Sequence, residues 1–148
     1  MQLHLDGTRT INADIADVFA RLTSPDFIAA SLPDSEEARV TGPDDVQARM
    51  KVRIAVVSST LNVKMTIADR SPPTRARLLA TASGSGSSMK IDSLFELSGP
   101  RPTEMKWSAD AEITGVMAGL GSTLLRGYAS KKVGEIFDGI TKAIEGTR

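Results

Sequence analysis

Between residues 46 and 54 the chain alternates strictly, with Val46, Ala48, Met50, Val52 and Ile54 set against Gln47, Arg49, Lys51 and Arg53. A period of two puts every apolar side chain on one face of a strand and every polar one on the other. The pattern returns at Leu61, Val63, Met65 and Ile67, at Ala76, Leu78, Ala80 and Ala82, and at Met105, Trp107, Ala109, Ala111 and Ile113. Residues 89–97 follow it less cleanly, slipping at Asp92 to Leu94, which suggests a bulge. Residues 2–11, with Thr8, Thr10 and Ile11, predict a first strand, with Gly7 as a second bulge candidate. Gly42-Pro43-Asp44-Asp45, Ser71-Pro72-Pro73, Gly84-Ser85-Gly86-Ser87-Ser88 and Gly99-Pro100-Arg101-Pro102 separate the alternating runs. Short turns between successive strands imply an antiparallel meander.

Two segments carry the helical period instead. Between residues 12 and 22, Ile15, Val18, Phe19 and Leu22 share one face, with Asn12 or Asp14 available as cap. A second short helix starts at Ser24-Pro25-Asp26 and ends near Pro33; Ser24 caps it and Pro25 takes its first position. From Val116 to Glu145 the apolar stripe Met117, Leu120, Leu124, Tyr128 widens through Leu125, Ala129, Val133, Ile136, Ile140 and Ile144. It predicts one amphipathic helix of roughly 45 Å. The expected architecture is α+β: a curved antiparallel sheet of about seven strands, two short helices after the first strand, and a long C-terminal helix. The sheet must cover its dry face, and only the long helix is large enough to do so.

Composition narrows the chemistry. The 148 residues suit one domain spanning the chain, with a sizeable core. Eighteen Lys and Arg balance eighteen Asp and Glu, which argues against general nucleic-acid binding. Without cysteine there is no disulfide, thiolate metal site or cysteine nucleophile, and a single histidine, His4, does not make a transition-metal site. No secretory signal or membrane-spanning run stands out, so a cytoplasmic location is expected. Aromatics are only 4% of the chain, so Met, Val, Ile and Ala must fill the space between helix and sheet.

Several strings in this order resemble the carbon monoxide dehydrogenase G-subunit family of the START-like, or helix-grip, superfamily. They are Gly7-Thr8-Arg9-Thr10-Ile11-Asn12-Ala13, Val18-Phe19 with Leu22, Ser24-Pro25, Leu32-Pro33, Gly84-Ser85-Gly86, Ala109-Asp110-Ala111, and Gly119-Leu120-Gly121-Ser122 with Leu124-Leu125. The sequence departs from that pattern at Phe19, where a tryptophan is usual, and at Asp34, where a glycine often follows Leu-Pro. The resemblance implies a non-catalytic accessory protein. It would hold a hydrophobic, quinone- or lipid-like molecule in a central cavity and help recruit a molybdenum hydroxylase to the inner face of the cytoplasmic membrane. Some members use an extra C-terminal tail for membrane contact; ending at Arg148, this sequence is expected to do without that device. Two alternatives stand beside this reading: a helix-grip enzyme of cyclase or hydrolase type, and a co-chaperone-like interaction domain with a filled core.

The expected cavity residues begin with Phe19, Phe27, Met50, Val52, Val63, Met65 and Leu78. Met89, Phe95, Trp107, Ala109, Met117, Leu120, Leu124 and Tyr128 complete the set. Methionine adapts to varied apolar shapes, and the Tyr128 hydroxyl is a candidate to orient a ligand carbonyl. Each of these side chains read alone is ordinary core. Arg49, Lys51, Arg53 and Lys64 form a basic strand face, either simply solvated or attractive to anionic lipid or an acidic partner. His4 shares the wet face of the first strand with Gln2 and Asp6, and parity turns Asp110 outward; neither suggests catalysis. Asp92 is worth attention only if it faces inward. The Asp14/Asp17 and Asp44/Asp45 pairs suit capping and turns, and the Gly84–Ser88 segment, with strands on both sides, suits a hairpin and not a phosphate loop.

Overall fold

A computed structural model describes residues 1–32 and 35–146. Pro33 and Asp34, where the expected end of the second helix and the departure after Leu-Pro fall, and Thr147 and Arg148 lie outside the described residues. The elements are β1 (Gln2–Ile11), α1 (Ile15–Leu22), α2 (Pro25–Ser31), β2 (Arg39–Gly42), β3 (Asp45–Ile54), β4 (Val57–Ser71), β5 (Arg75–Gly84), β6 (Ser87–Ser98), β7 (Thr103–Gly115) and α3 (Ser122–Gly146), with a 3₁₀ turn over Met117–Leu120. The seven strands form one antiparallel sheet in the order β1-β7-β6-β5-β4-β3-β2. Strands β2 to β7 are a meander; β1 closes onto β7, so the first and last strands are neighbours. The sheet curls around α3, whose contacts reach both β1 and β3.

Local chemistry explains most boundaries. The Ser24 side chain accepts from the Phe27 amide at 3.3 Å, with Pro25 next to it, so α2 starts where the capping signal stands. Asp14 occupies the cap position of α1 without a side-chain bond to the helix. The fully buried Thr103 donates its hydroxyl to the Ala13 carbonyl at 2.8 Å, tying the start of β7 to the β1–α1 link. Ser87, also buried, accepts from the Met117 amide at 3.0 Å and seats the 3₁₀ turn against β6.

Four expectations need correction. Gly7 is no bulge: β1 pairs with β7 in unbroken register, Gly7 opposite Trp107. A Cβ there would lie 3.0 Å from the indole, so the glycine is needed for close approach. Nor does β6 bulge, since it runs in continuous register with both neighbours. The slip in pattern arises because Ser93 sits on the dry face, its hydroxyl donated to the Leu78 carbonyl at 2.8 Å, while Leu94 sits on the other face. Asp92 consequently points outward, onto Arg77. The long helix is not continuous from Val116: Gly121, at φ 90°, breaks it, and α3 runs 25 residues, about 37 Å. Finally, β2 was not foreseen. Its four residues, Arg39–Gly42, lie on the sheet edge with neither face buried, so they carry no period-two signal.

Candidate functional site

The inward face of the sheet is not evenly buried. At one end Ile11, Ala76, Leu97 and Met105 pack with Val18, Phe19 and Leu22 of α1 and Ile140 and Ile144 of α3. At the other end Leu3, Ile54, Leu61, Ala82 and Ile113 pack with Met117 and Leu125. A smaller cluster, Ile28, Val46 and Ile67, lies under α2. Between them, inward-facing Met65, Leu78, Ile91, Ser93, Phe95, Trp107 and Ala109 are only half-buried although both neighbouring rows are closed. The space they face is a cavity of about 250 Å³ between sheet and helix. Val133, Ile136, Phe137 and Ile140 roof it, and Leu22, Ile28 and Leu32 close its end.

The lining is almost entirely carbon. The polar side chains facing it are Ser31 and Ser93, and no described titratable group lines it. Ser31 and Ser93 already donate to backbone carbonyls, at 2.7 and 2.8 Å. Such a space selects by shape and apolarity. A cavity of about 150 Å³ takes a benzene ring, so this one suits one or two rings or a short stretch of chain.

Trp107 and Phe137 form one wall, with ring centroids 5.2 Å apart and planes tilted by 48°. Arg9 sits over the Phe137 ring at 5.8 Å, and its guanidinium donates to Asp138 at 2.6 Å. Arg126 donates to the His4 carbonyl at 2.7 Å and Glu145 accepts from the Asn12 amide at 2.8 Å. These contacts lace α3 to β1 along its length. The opposite seam, between α3 and β3, instead holds a groove of about 560 Å³. Lys51, Arg53, Ser58, Thr60, Tyr128 and Lys132 are among its lining residues.

Of the residues expected at the cavity, Met65, Leu78, Phe95, Trp107 and Ala109 line it. Phe19 is buried beside it, 6.3 Å from the Phe95 ring, and Phe27 packs on the same end cluster under Arg21. Met50 is half-buried on β3, across an isolated bridge from Ser35. Val52, Val63, Met89, Leu120 and Tyr128 pack against the far cluster, and Met117 is buried in it. Leu124 is the correction: it is 47% exposed. The break at Gly121 resets the helical phase, so the adjacent Leu125 points inward and Leu124 lies about 100° away around the helix. Sequence reading missed Phe137 altogether. It sits one residue after Ile136, off the aliphatic stripe, and only an aromatic one position beyond an apolar stripe hinted at it.

The basic face is present but partly neutralised. Arg49 meets Glu37 at 3.6 Å and Lys51 meets Glu36 at 3.0 Å, both carboxylates lying in the segment after α2. Arg53 and Lys64 pair with no carboxylate among the described residues. On the same outer surface His4 lies between two carboxylates, Nδ1 2.7 Å from Asp110 and Nε2 2.8 Å from Asp6. The bond to Asp110, then that to Asp6, raises the His4 pKa above its ordinary 6.5. A group with a raised native pKa contributes stability that is full below 6.5 and is lost as pH rises through the raised value. All three side chains are more than half exposed, so that contribution is small. The His4 ring protons should titrate by NMR with a midpoint above 6.5, and Asp110→Asn should lower it. A midpoint that ignores the substitution would contradict the arrangement.

A family model for CoxG, the G subunit of carbon monoxide dehydrogenase, matches residues 7–145. No curated protein matches the sequence significantly. Among solved structures, a conserved protein from Geobacillus kaustophilus superposes with a TM-score of 0.89 at 21% identity, covering 98% of this chain and 97% of that one. A START superfamily protein from Mycobacterium smegmatis gives 0.71 at 11% identity over 98% and 99%. An aromatase/cyclase from Streptomyces sp. R1128 gives 0.66 at 12% identity over 98% and 94%. At these identities the likeness establishes the helix-grip fold and nothing finer.

Proposed function

Because the chain belongs to the CoxG family, that of the carbon monoxide dehydrogenase G subunit, we propose that it is a non-catalytic accessory protein that carries a quinone- or lipid-like molecule and recruits a molybdenum hydroxylase to the membrane. One observation carries the ligand half of this reading: a cavity of about 250 Å³ whose lining is almost all carbon. The volume takes a quinone ring with a short stretch of tail, and a longer tail would have to leave the cavity. Trp107, the chain's single tryptophan, forms part of the wall. The aromatase/cyclase neighbour does not shift the reading toward catalysis. Cyclisation needs groups that deliver and remove protons, and no described titratable side chain lines this cavity.

None of the described helices is long and apolar enough to cross a membrane, so the recruitment half of the proposal requires a surface contact. The ligand half is tested by titrating a short-chain quinone into the purified protein and following Trp107 fluorescence. Saturable quenching at micromolar concentration, with displacement by a second quinone, is the expected result. Purely linear, collisional quenching would remove the carrier reading. The recruitment half is tested separately, by measuring whether a purified hydroxylase of the carbon monoxide dehydrogenase type binds the immobilised chain.

A further inference from the structure

Among the described residues six large apolar side chains are exposed: Met1, Val40, Val56, Leu79, Val116 and Leu124. Four of them collect at one end of the sheet. Met1 precedes β1 and exchanges backbone hydrogen bonds with Ile113 near the end of β7. Val116 follows β7, with Cγ2 3.2 Å from where a Cβ on Gly86 would stand, so it lies against the β5–β6 hairpin. Val56 is the tip of the β3–β4 hairpin and is 97% exposed. Leu124 is in the first turn of α3, which starts at this end. None of these four side chains is buried in the core.

The charge at this end is also one-sided. Residues 46–68 and 113–133 contain no Asp or Glu but include Lys51, Arg53, Arg126, Lys131 and Lys132. Lys51 and Lys132 are met from outside those stretches, by Glu36 and by Glu135, each at 3.0 Å. The carboxylate that the register brings near, Glu112, lies opposite Lys90. Arg53, paired with Ser58, stands one residue pair behind the Ala55–Val56 turn, roughly 7 Å from the tip at the rise of a strand. That is the depth over which an interfacial segment passes from headgroups to acyl chains, about 5–10 Å.

We propose that this hairpin end, led by Val56 with Val116 and Leu124 and backed by Arg53 and Lys132, is a docking surface for an anionic lipid bilayer. Apolar tips on separate elements, cations behind them and hydroxyls from Ser58, Thr60 and Tyr128 between them match the layering of a membrane surface, hydrocarbon under anionic headgroups. The surface deepens the membrane part of the reading above. It depends on no bound quinone, so the two stand or fall by different experiments.

The test is co-sedimentation of the purified full chain with phosphatidylcholine vesicles, with and without 30 mol% phosphatidylglycerol (roughly the anionic content that draws polybasic surfaces). Binding to the anionic vesicles alone, weakened by high salt, is expected. Each cation near such a surface contributes about 1 kcal/mol, so Arg53→Glu should weaken binding roughly thirtyfold. Val56→Asp should weaken it by about tenfold or more, whereas Val40→Asp, exposed on β2 at the far side of the sheet, should leave it unchanged. All three sites are exposed, and circular dichroism checks that each variant is folded. Equal binding to neutral vesicles, no binding to either, or equal loss in the Val40 and Val56 variants would overturn the proposal. So would anion binding without vesicle binding, seen as shifts of groove resonances with inorganic phosphate, which would reassign the cations to a soluble ligand. Capture of an acidic protein by a chain that ignores vesicles would likewise replace the bilayer with a protein partner.

Discussion

Gly115→Ala should be strongly destabilising, at about 4 kcal/mol. Gly115 closes β7 at φ +88°, and a Cβ there would fall 2.1 Å from the Gly86 carbonyl oxygen and 2.9 Å from Ser87 Cα. Both are backbone atoms where the β5–β6 turn enters β6, so no rotamer change can make room. Part of the penalty is conformational, about 1–2 kcal/mol for an L-residue in left-handed space. The rest is the clash, relieved only by opening the Ser87–Gly115 pair. Gly121→Ala separates the two terms: its φ is +90°, yet nothing lies within 4 Å of the new Cβ. It should cost only the conformational part. A change of 1 kcal/mol moves the melting temperature of a domain this size by roughly 2–4 °C. Thermal unfolding should therefore fall by about 10 °C for Gly115→Ala and by about 4 °C for Gly121→Ala. Equal losses would mean that the close approach of the two backbones at Gly86 and Gly115 does not constrain the fold.

Ala109→Phe should abolish uptake of an apolar ligand, by about a hundredfold or more, while leaving the protein as stable as before or more so. Ala109 lies on the cavity wall, opposite Leu5 on one neighbouring strand and Ser93 on the other. A phenyl ring placed there enters space that no side chain occupies. It would gain contact with Trp107 and the α3 roof, and filling an apolar void restores dispersion contacts. In a fully packed core the same insertion would cost about 1–3 kcal/mol. The sign of the stability change thus reports whether the cavity exists, and the loss of Trp107 quenching by a quinone reports whether the cavity is where the ligand goes. A destabilised variant that still binds would contradict both.

How much of this was legible varies by element, for physical reasons. Strands β3, β4, β5 and β7 announce themselves because one face is dry and one is wet, so burial is written directly into alternating residues. Helix α2 was legible from Ser24-Pro25 because its cap is a local bond. The β6 pattern misled because an inward serine can satisfy its hydroxyl on a neighbouring carbonyl, and an inward polar residue looks like a register slip. Leu124 misled because Gly121 breaks the helix, so the stripe through Met117 and Leu120 does not continue onto it. The basic strand face was legible as a face, but the pairing of Arg49 and Lys51 with Glu37 and Glu36 was not, since those carboxylates reach β3 only once the chain has turned back after α2.

The sequence by itself determined most of the elements, the face that β3, β4, β5 and β7 each bury, the α+β class and the family resemblance, because period, caps and turn residues act over a few neighbouring positions. Only the tertiary structure decided where the interior stays open. Gly7 admits the Trp107 indole, Phe137 meets it from a helix thirty residues on (their numbers differ by 30), and the two ends of the sheet close while its middle does not. It also decided that Met1, Val56, Val116 and Leu124 share one end of the molecule. A void and a shared surface are properties of distances between elements far apart in the chain, and no local pattern encodes them.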